Sequence, residues 1–131
     1  MSFEIFIDGL KILWTTSFES EPEGESETTT THSGPIIDPP ESDTYNITIE
    51  RATNYDSIHE QEVLRIIEKS RDNPVTIVAV KKTPRGGMRW SYSNCKLSTK
   101  PSYSVDENGK LEISMEYIGE NETIEILEGE A

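Results

Sequence analysis

The chain has 131 residues, enough for one domain with one hydrophobic core and too few for two. Only 33% of it is hydrophobic, and 25 acids against 12 bases give a net charge of −13, which weighs against nucleic-acid binding because that affinity comes mainly from neutralising phosphates. The single Cys95 excludes an internal disulfide, no run reaches the roughly 20 apolar residues of a membrane span, and Phe3 to Trp14 is too broken by charges and Gly9 for a signal peptide, so synthesis in a reducing, cytoplasm-like setting is expected.

Phe3-Glu4-Ile5-Phe6-Ile7 and Leu10-Lys11-Ile12-Leu13-Trp14 flank Asp8-Gly9, a favoured two-residue turn, and their near-continuous hydrophobicity predicts a hairpin buried on both faces. Thr15 to Glu23 predicts a strand, with Ser17, Glu19, Glu21 and Glu23 on one face and Thr16, Phe18 and Ser20 on the weakly apolar other. Composition then shifts: Gly24 to Asp43 holds two Gly, three Pro, four consecutive Thr and five acids, too little apolar surface for a packed element, and predicts a mobile loop or an arm that orders on a partner. Its Ile36-Ile37 pair reads either as a docking knob or as two ordinary exposed side chains.

Thr44 to Arg51 resumes the alternation, with Tyr45, Ile47 and Ile49 on one face and Thr44, Asn46, Thr48 and Glu50 on the other. Ser57 and Glu60 have the spacing of a capping box, and Ile58, Val63, Leu64, Ile66 and Ile67 recur at helical spacing, so a helix is expected to about Ser70, ahead of Asp72-Asn73-Pro74. Val75 to Val80 is a β-branched run suited to a central strand, followed by the basic turn Thr83 to Gly87, which lacks the ending of a phosphate-binding loop. From Arg89 to Ile118 two strand-like runs join across Asp106-Glu107-Asn108-Gly109; in the second, Leu111, Ile113, Met115 and Tyr117 alternate with Glu112, Ser114 and Glu116. Glu120 to Ile126 predicts a separate short strand. The expected fold is α+β, mainly β: a small antiparallel sandwich or barrel-like sheet with one covering helix and a long extended loop.

Charge falls in blocks. Residues 1–50 hold eleven acids and one Lys, net −10; residues 81–100 hold Lys81, Lys82, Arg85, Arg89, Lys96 and Lys100 with no acid, net +6; residues 101–131 hold nine acids and one Lys, net −8. The basic block is either a solvated edge or a surface that meets the acidic block of another copy. Catalytic signals are weak: His32 sits in the polar loop, His59 reads as a surface residue of the helix, and Cys95 has no partner for a nucleophile or zinc site. Neither an enzyme nor a cofactor or metal is expected.

The layout of the second half resembles that of phage tail tube proteins, relatives of the tubes of contractile injection machines: an aromatic-rich strand with Asn94-Cys95, then Pro101 and Tyr103, then a Gly-bearing turn into a strand of alternating Glu and apolar residues ending Tyr117-Ile118-Gly119. The resemblance is one of layout, loosely over most of the chain, and carries no diagnostic motif. It implies a single tube-type domain over 1–131, with 24–43 as an inter-subunit arm. Sheets would join edge to edge into hexameric rings, stacked as a filament in a virion tail assembled in the host bacterial cytoplasm. Other tail proteins at the ends are the implied partners, with or without a surrounding sheath, and DNA would pass without specific binding. Strand parity then nominates Glu19, Glu21, Glu50, Glu112 and Glu116 for an acidic lumen, while the apolar spot of the loop and the basic block nominate Ile36, Ile37, Lys81, Lys82, Arg85 and Arg89 for contacts between subunits. A tube initiator or terminator of the same fold and a monomeric β-rich binding module are the alternatives.

Overall fold

At the first turn Asp8 and Gly9 both take left-handed backbone angles (φ 51° and 84°), and Ile7 pairs directly with Leu10, so β1 (Ser2–Ile7) and β2 (Leu10–Ile12) form a two-residue hairpin. The structure, a computed structural model, describes residues 2–22, 27–31, 34–38, 44–53 and 57–128, the second and third of these by backbone alone. The remaining elements are β3 (Thr15–Pro22), β4 (Glu27–Thr31), β5 (Gly34–Asp38), β6 (Thr44–Thr53), α1 (Ser57–Asp72), β7 (Val75–Thr83), β8 (Gly86–Leu97), β9 (Ser102–Val105) and β10 (Leu111–Glu128). Eight strands make one antiparallel sheet in the order β2-β1-β7-β8-β10-β6-β3, with β9 added on β10. The sheet curls as a half-barrel, and the Phe3 and Phe18 rings, 6.4 Å apart, bring its β1 side towards its β3 edge. Of the two expected arrangements, the barrel-like one is found.

Alternation explains the core. Ile5, Ile7, Ile47, Ile49, Ile77, Ala79, Tyr92, Ile113, Met115 and Tyr117 point inward, and α1 covers them with Val63, Ile67 and Ser70, whose hydroxyl lies 3.2 Å from the Tyr117 hydroxyl. Burying side chains of this size contributes about 1.5–3 kcal/mol each, so the inward row fixes the register of every strand carrying it. Gly119 marks where β10 bends across this core: a Cβ there would lie 2.7 Å from Cys95 Sγ and 3.0 Å from Ile47 Cδ1.

Several expectations need correction. The first hairpin is buried on one face only: on the face opposite Ile5, Ile7 and Ile12, Phe6 is half-buried and its pair Lys11 exposed, and Leu13-Trp14 is a turn. Within 24–43 the described residues form an antiparallel hairpin, β4 with β5, separate from the main sheet; it places Ile36 and Ile37 opposite Thr29 and Thr28. The rest of 24–43, with His32, lies outside the described residues, as do the side chains of Ile36 and Ile37. The Asp106–Gly109 turn joins β9, not β8, to β10, because β8 ends at Leu97 and the chain re-enters the sheet at Ser102. The expected break before Glu120 is a bulge: β10 runs on through register shifts between Ile118 and Thr123, with Asn94 and Asn121 at positive φ on the two strands. On the helix Ile58 and Leu64 are exposed, whereas His59 is buried.

Candidate functional site

Strand pairing assembles one polar face from β3, β6 and β10, extended by β9. Glu19 of β3 lies opposite Thr48 of β6, which lies opposite Glu116 of β10; in the next row Ser17, Glu50, Ser114 and Ser102 stand side by side, and in the one after it Ala52, Glu112 and Ser104. Glu21 lies opposite Asn46 on the same face. All five glutamates nominated from sequence are exposed, and they share the face opposite the inward row of Ile113, Met115 and Tyr117. Strands about 4.8 Å apart put Glu19 and Glu116 nearly 10 Å from each other. That exceeds the Debye length of about 8 Å at physiological salt, so this pair repels little, whereas Glu50 stands diagonally between Glu112 and Glu116 at about 7–8 Å and keeps the face strongly negative. An open groove of about 560 Å³ crosses it, lined by Glu50, Glu112, Lys110, Ser102, Ser104 and Ser114 among others.

The inner side treats charge differently. Arg51 continues the inward parity of Ile47 and Ile49 and is 1% exposed. Its Nη1 and Nη2 donate to Glu60 Oε2 and Oε1 at 3.1 and 2.8 Å, and its Nε donates to the Leu13 carbonyl at 3.0 Å. Thr53 Oγ1 also donates to Glu60 Oε1, at 2.9 Å, while the Leu13 amide donates to His59 Nε2 at 3.1 Å under the edge of the Trp14 ring. Burial pushes the Glu60 pKa up, but hydrogen bonds from Arg51 and Thr53 outweigh it and leave the pKa below its ordinary value. The described bonds of Glu60 thus run to β6 rather than back to Ser57 as a capping box would. Parity could have placed Arg51 inside; nothing local in the sequence pointed to Glu60 or His59 as its neighbours.

At the far end β7, β8 and β10 continue as a ribbon, with Val80 opposite Arg89, Lys81 opposite Met88, and Thr83 beside Gly86. Lys81, Lys82 and Arg85 are exposed there, and Arg89 pairs with Glu125 of its own chain at 3.0 Å. The bulge below the ribbon is pinned by Tyr92, whose hydroxyl donates to Glu122 Oε2 at 2.6 Å and meets Ser20 Oγ at 2.6 Å. Of the nominated contact residues, the four basic ones lie at this end of the ribbon, with Lys82 and Arg89 on one face and Lys81 on the other. Cys95 is buried and its thiol pushed up to about 11 by that burial, so it is protonated at neutral pH and packs as a small apolar group. Among the described residues no group of three or more His, Cys, Asp or Glu side chains could hold a metal ion.

No family model and no curated protein matches the sequence. Among solved structures the fold is similar to that of a chain in the cryo-EM structure of the anti-feeding prophage baseplate, 6-fold symmetrised. The TM-score is 0.58 at 10% identity, over 94% of this chain and 90% of that one. At that identity the likeness is one of fold, and it spans almost the whole of both chains.

Proposed function

We propose that the chain is a structural subunit of a phage-tail-like injection machine, which forms hexameric rings stacked into a tail tube and is not an enzyme. The observation that carries this reading is the polar face of β3, β6 and β10: five exposed glutamates on one side of a sheet whose other side is closed by core and helix. A half-barrel has free strand edges, a liability that joining with neighbouring copies would remove. In a closed ring the acidic face lines the lumen, where phosphates meet repulsion instead of a binding site, so DNA passes without being held. The fold likeness to a chain of a 6-fold symmetrised baseplate supports both the machine and the ring size. Because that neighbour belongs to a baseplate, a second reading is favoured too: a tube initiator or terminator of the same fold, active as a single ring. In both readings the protein resides in the tail and is assembled in the bacterial cytoplasm with other tail proteins.

Size-exclusion chromatography with negative-stain microscopy of the purified chain separates these readings. Long tubes are expected for a tube protein and single rings for an initiator or terminator. A chain that stays monomeric at every concentration would contradict both.

A further inference from the structure

The main sheet is sheared, so that β10 overhangs its neighbours at both ends. At its C-terminal end β10 pairs with β8 as far as Glu128, but its pairing with β6 stops at Glu120. Along Thr123–Glu128 the side towards β6 therefore has no strand partner among the described residues. At the other end Leu111–Ser114 pair with β6 on one side and with β9 on the other, so β9 lies on the β8 side. The outer edge of β9 has no strand partner among the described residues either. The two open edges face opposite ways.

Both carry apolar side chains that the core does not reach. Ile124 and Ile126 sit opposite Trp90 and Met88 on the core side of the sheet and are 51% and 79% exposed. Tyr103 and Val105 sit opposite Ile113 and Leu111 on that same side and are 54% and 67% exposed. Four of the eight exposed large hydrophobic residues among those described thus lie on these two short edges. On the other face the tail of β10 presents Thr123 and Glu125, and β9 presents Ser102 and Ser104. β9 itself carries no charge, so an acidic tail with Glu122, Glu125 and Glu128 meets no like charge along it.

Direction and length narrow the choice of partner. β9 runs antiparallel to β10, so in two copies held in the same orientation the tail of one and β9 of the next form an antiparallel pair with their core sides on one face. β2 has an open edge facing the same way as that of β9, but it is three residues long, would run parallel to the tail, and has already buried Ile12. The outer edge of β3 faces the same way as the tail and carries Glu19 and Glu21.

We propose that the β10 tail of one copy pairs with β9 of a second copy, with Ile124 beside Val105 and Ile126 beside Tyr103. Strand addition supplies the backbone hydrogen bonds, and the shared parity supplies the apolar contact. The middle of Thr123–Glu128 lies about 13 residues along β10 from the middle of Leu111–Ser114, or about 40 Å at roughly 3.3 Å per residue. The pairing therefore displaces the second copy along the strands, and a contact between two unlike surfaces that steps in this way extends a filament instead of closing a ring. The inference deepens the ring-and-tube reading, as a contact from one ring to the next, and rests on it for the identity of the partner.

Disulfide trapping in full-length chains tests it, with the buried Cys95 kept and the parent chain as control. One chain carries Ile126→Cys and another, differently tagged, Tyr103→Cys; a second mixture pairs Ile124→Cys with Val105→Cys. Under mild oxidation at an assembling concentration, at least one mixture is expected to give a cross-linked heterodimer. Ile126→Cys with Ser104→Cys, on opposite faces, is expected to give none. Separately, Ile124→Thr with Ile126→Thr should leave the thermal midpoint within roughly 2–3 °C, the shift that a surface change produces, and raise the concentration needed for assembly at least tenfold. Cross-linking and Ile dependence in a protein that forms only short oligomers would uphold the contact and overturn the tube. Tubes or single rings that form with no trapped pair and no Ile dependence would overturn the contact and uphold that assembly. Trapping as efficient with Ser104→Cys as with Tyr103→Cys would reveal chance collision and overturn the proposal, and a chain that neither assembles nor cross-links would overturn both readings.

Discussion

Two ways of carrying charge meet on β6. At Arg51 the strand buries a guanidinium and satisfies it with both oxygens of Glu60 and a backbone carbonyl, whereas one residue earlier Glu50 points the other way and is left to water. The difference teaches how to separate charges that hold the fold from charges available for assembly. A buried charge survives only when its hydrogen bonds are met, because desolvation costs several kcal/mol per ion. An exposed one needs no partner and contributes little to stability, so a face of unmatched glutamates is free to serve something outside the subunit.

The largest effect should come from breaking the buried side. Glu60→Gln leaves Arg51 without its counter-charge and is expected to cost about 3–5 kcal/mol, read as a lower midpoint in chemical denaturation. Arg51→Met combined with Glu60→Leu should recover most of that loss, since an apolar pair of similar volume often replaces a buried ion pair without penalty. The same pair predicts acid sensitivity. The folded-state pKa of Glu60 lies below its unfolded value, so its contribution is complete above about pH 4.3 and is lost as pH falls from there through the folded-state value. Asp8 works in the same direction, its pKa lowered first by a hydrogen bond from Lys69 and next by the Thr76 amide. Glu60→Gln should therefore flatten the acid limb of the stability curve, and a limb of unchanged steepness would show that Glu60 does not carry it.

A smaller loss is expected at the bend of β10. Gly119→Ala drives a Cβ into Cys95 and Ile47 and should cost about 1–3 kcal/mol by overpacking, again measured by denaturation. Gly119→Ala with Cys95→Ala should be milder, because the nearer of the two clashing atoms is gone.

Changes on the exposed side should hardly move stability and should act on assembly. Replacing 24–43 by a short turn should leave a folded subunit that forms no filament, because neither the core residues nor the main-sheet strands pass through it. Lys81→Glu with Lys82→Glu should weaken assembly at low salt, and the parent should weaken likewise above a few tenths molar, where the Debye length falls below about 6 Å. Smallest of all in stability, within about half a kcal/mol, should be Glu112→Lys with Glu116→Lys. Its expected signature is DNA retained in the tube or ejected slowly, an effect that salt relieves.

Strand parity was the legible part of the fold. The Asp8-Gly9 hairpin, the inward rows of β6 and β10, and the exposed glutamates opposite them all follow from a period of two. The continuity of β10 was hidden because Gly119-Glu120-Asn121 reads as a break, while in the sheet it is a bulge that shifts parity and puts Ile124 and Ile126 on the core side beyond the end of the core. The surface reading of His59 failed for a long-range reason: the first turn of α1 lies over the Leu13-Trp14 turn, 46 positions earlier, whose amide the imidazole accepts. The basic cluster was legible as composition, but the open edge of β10, across β8 from it, belongs to pairing and has no local mark.

The central claim is that the glutamate face looks into a channel, and a cryo-EM reconstruction of the assembled protein tests it most directly. The account predicts a six-fold ring whose inner wall carries Glu19, Glu21, Glu50, Glu112 and Glu116, with α1 on the outside. A ring with those five residues on its outer surface, or at its subunit contacts, would contradict it.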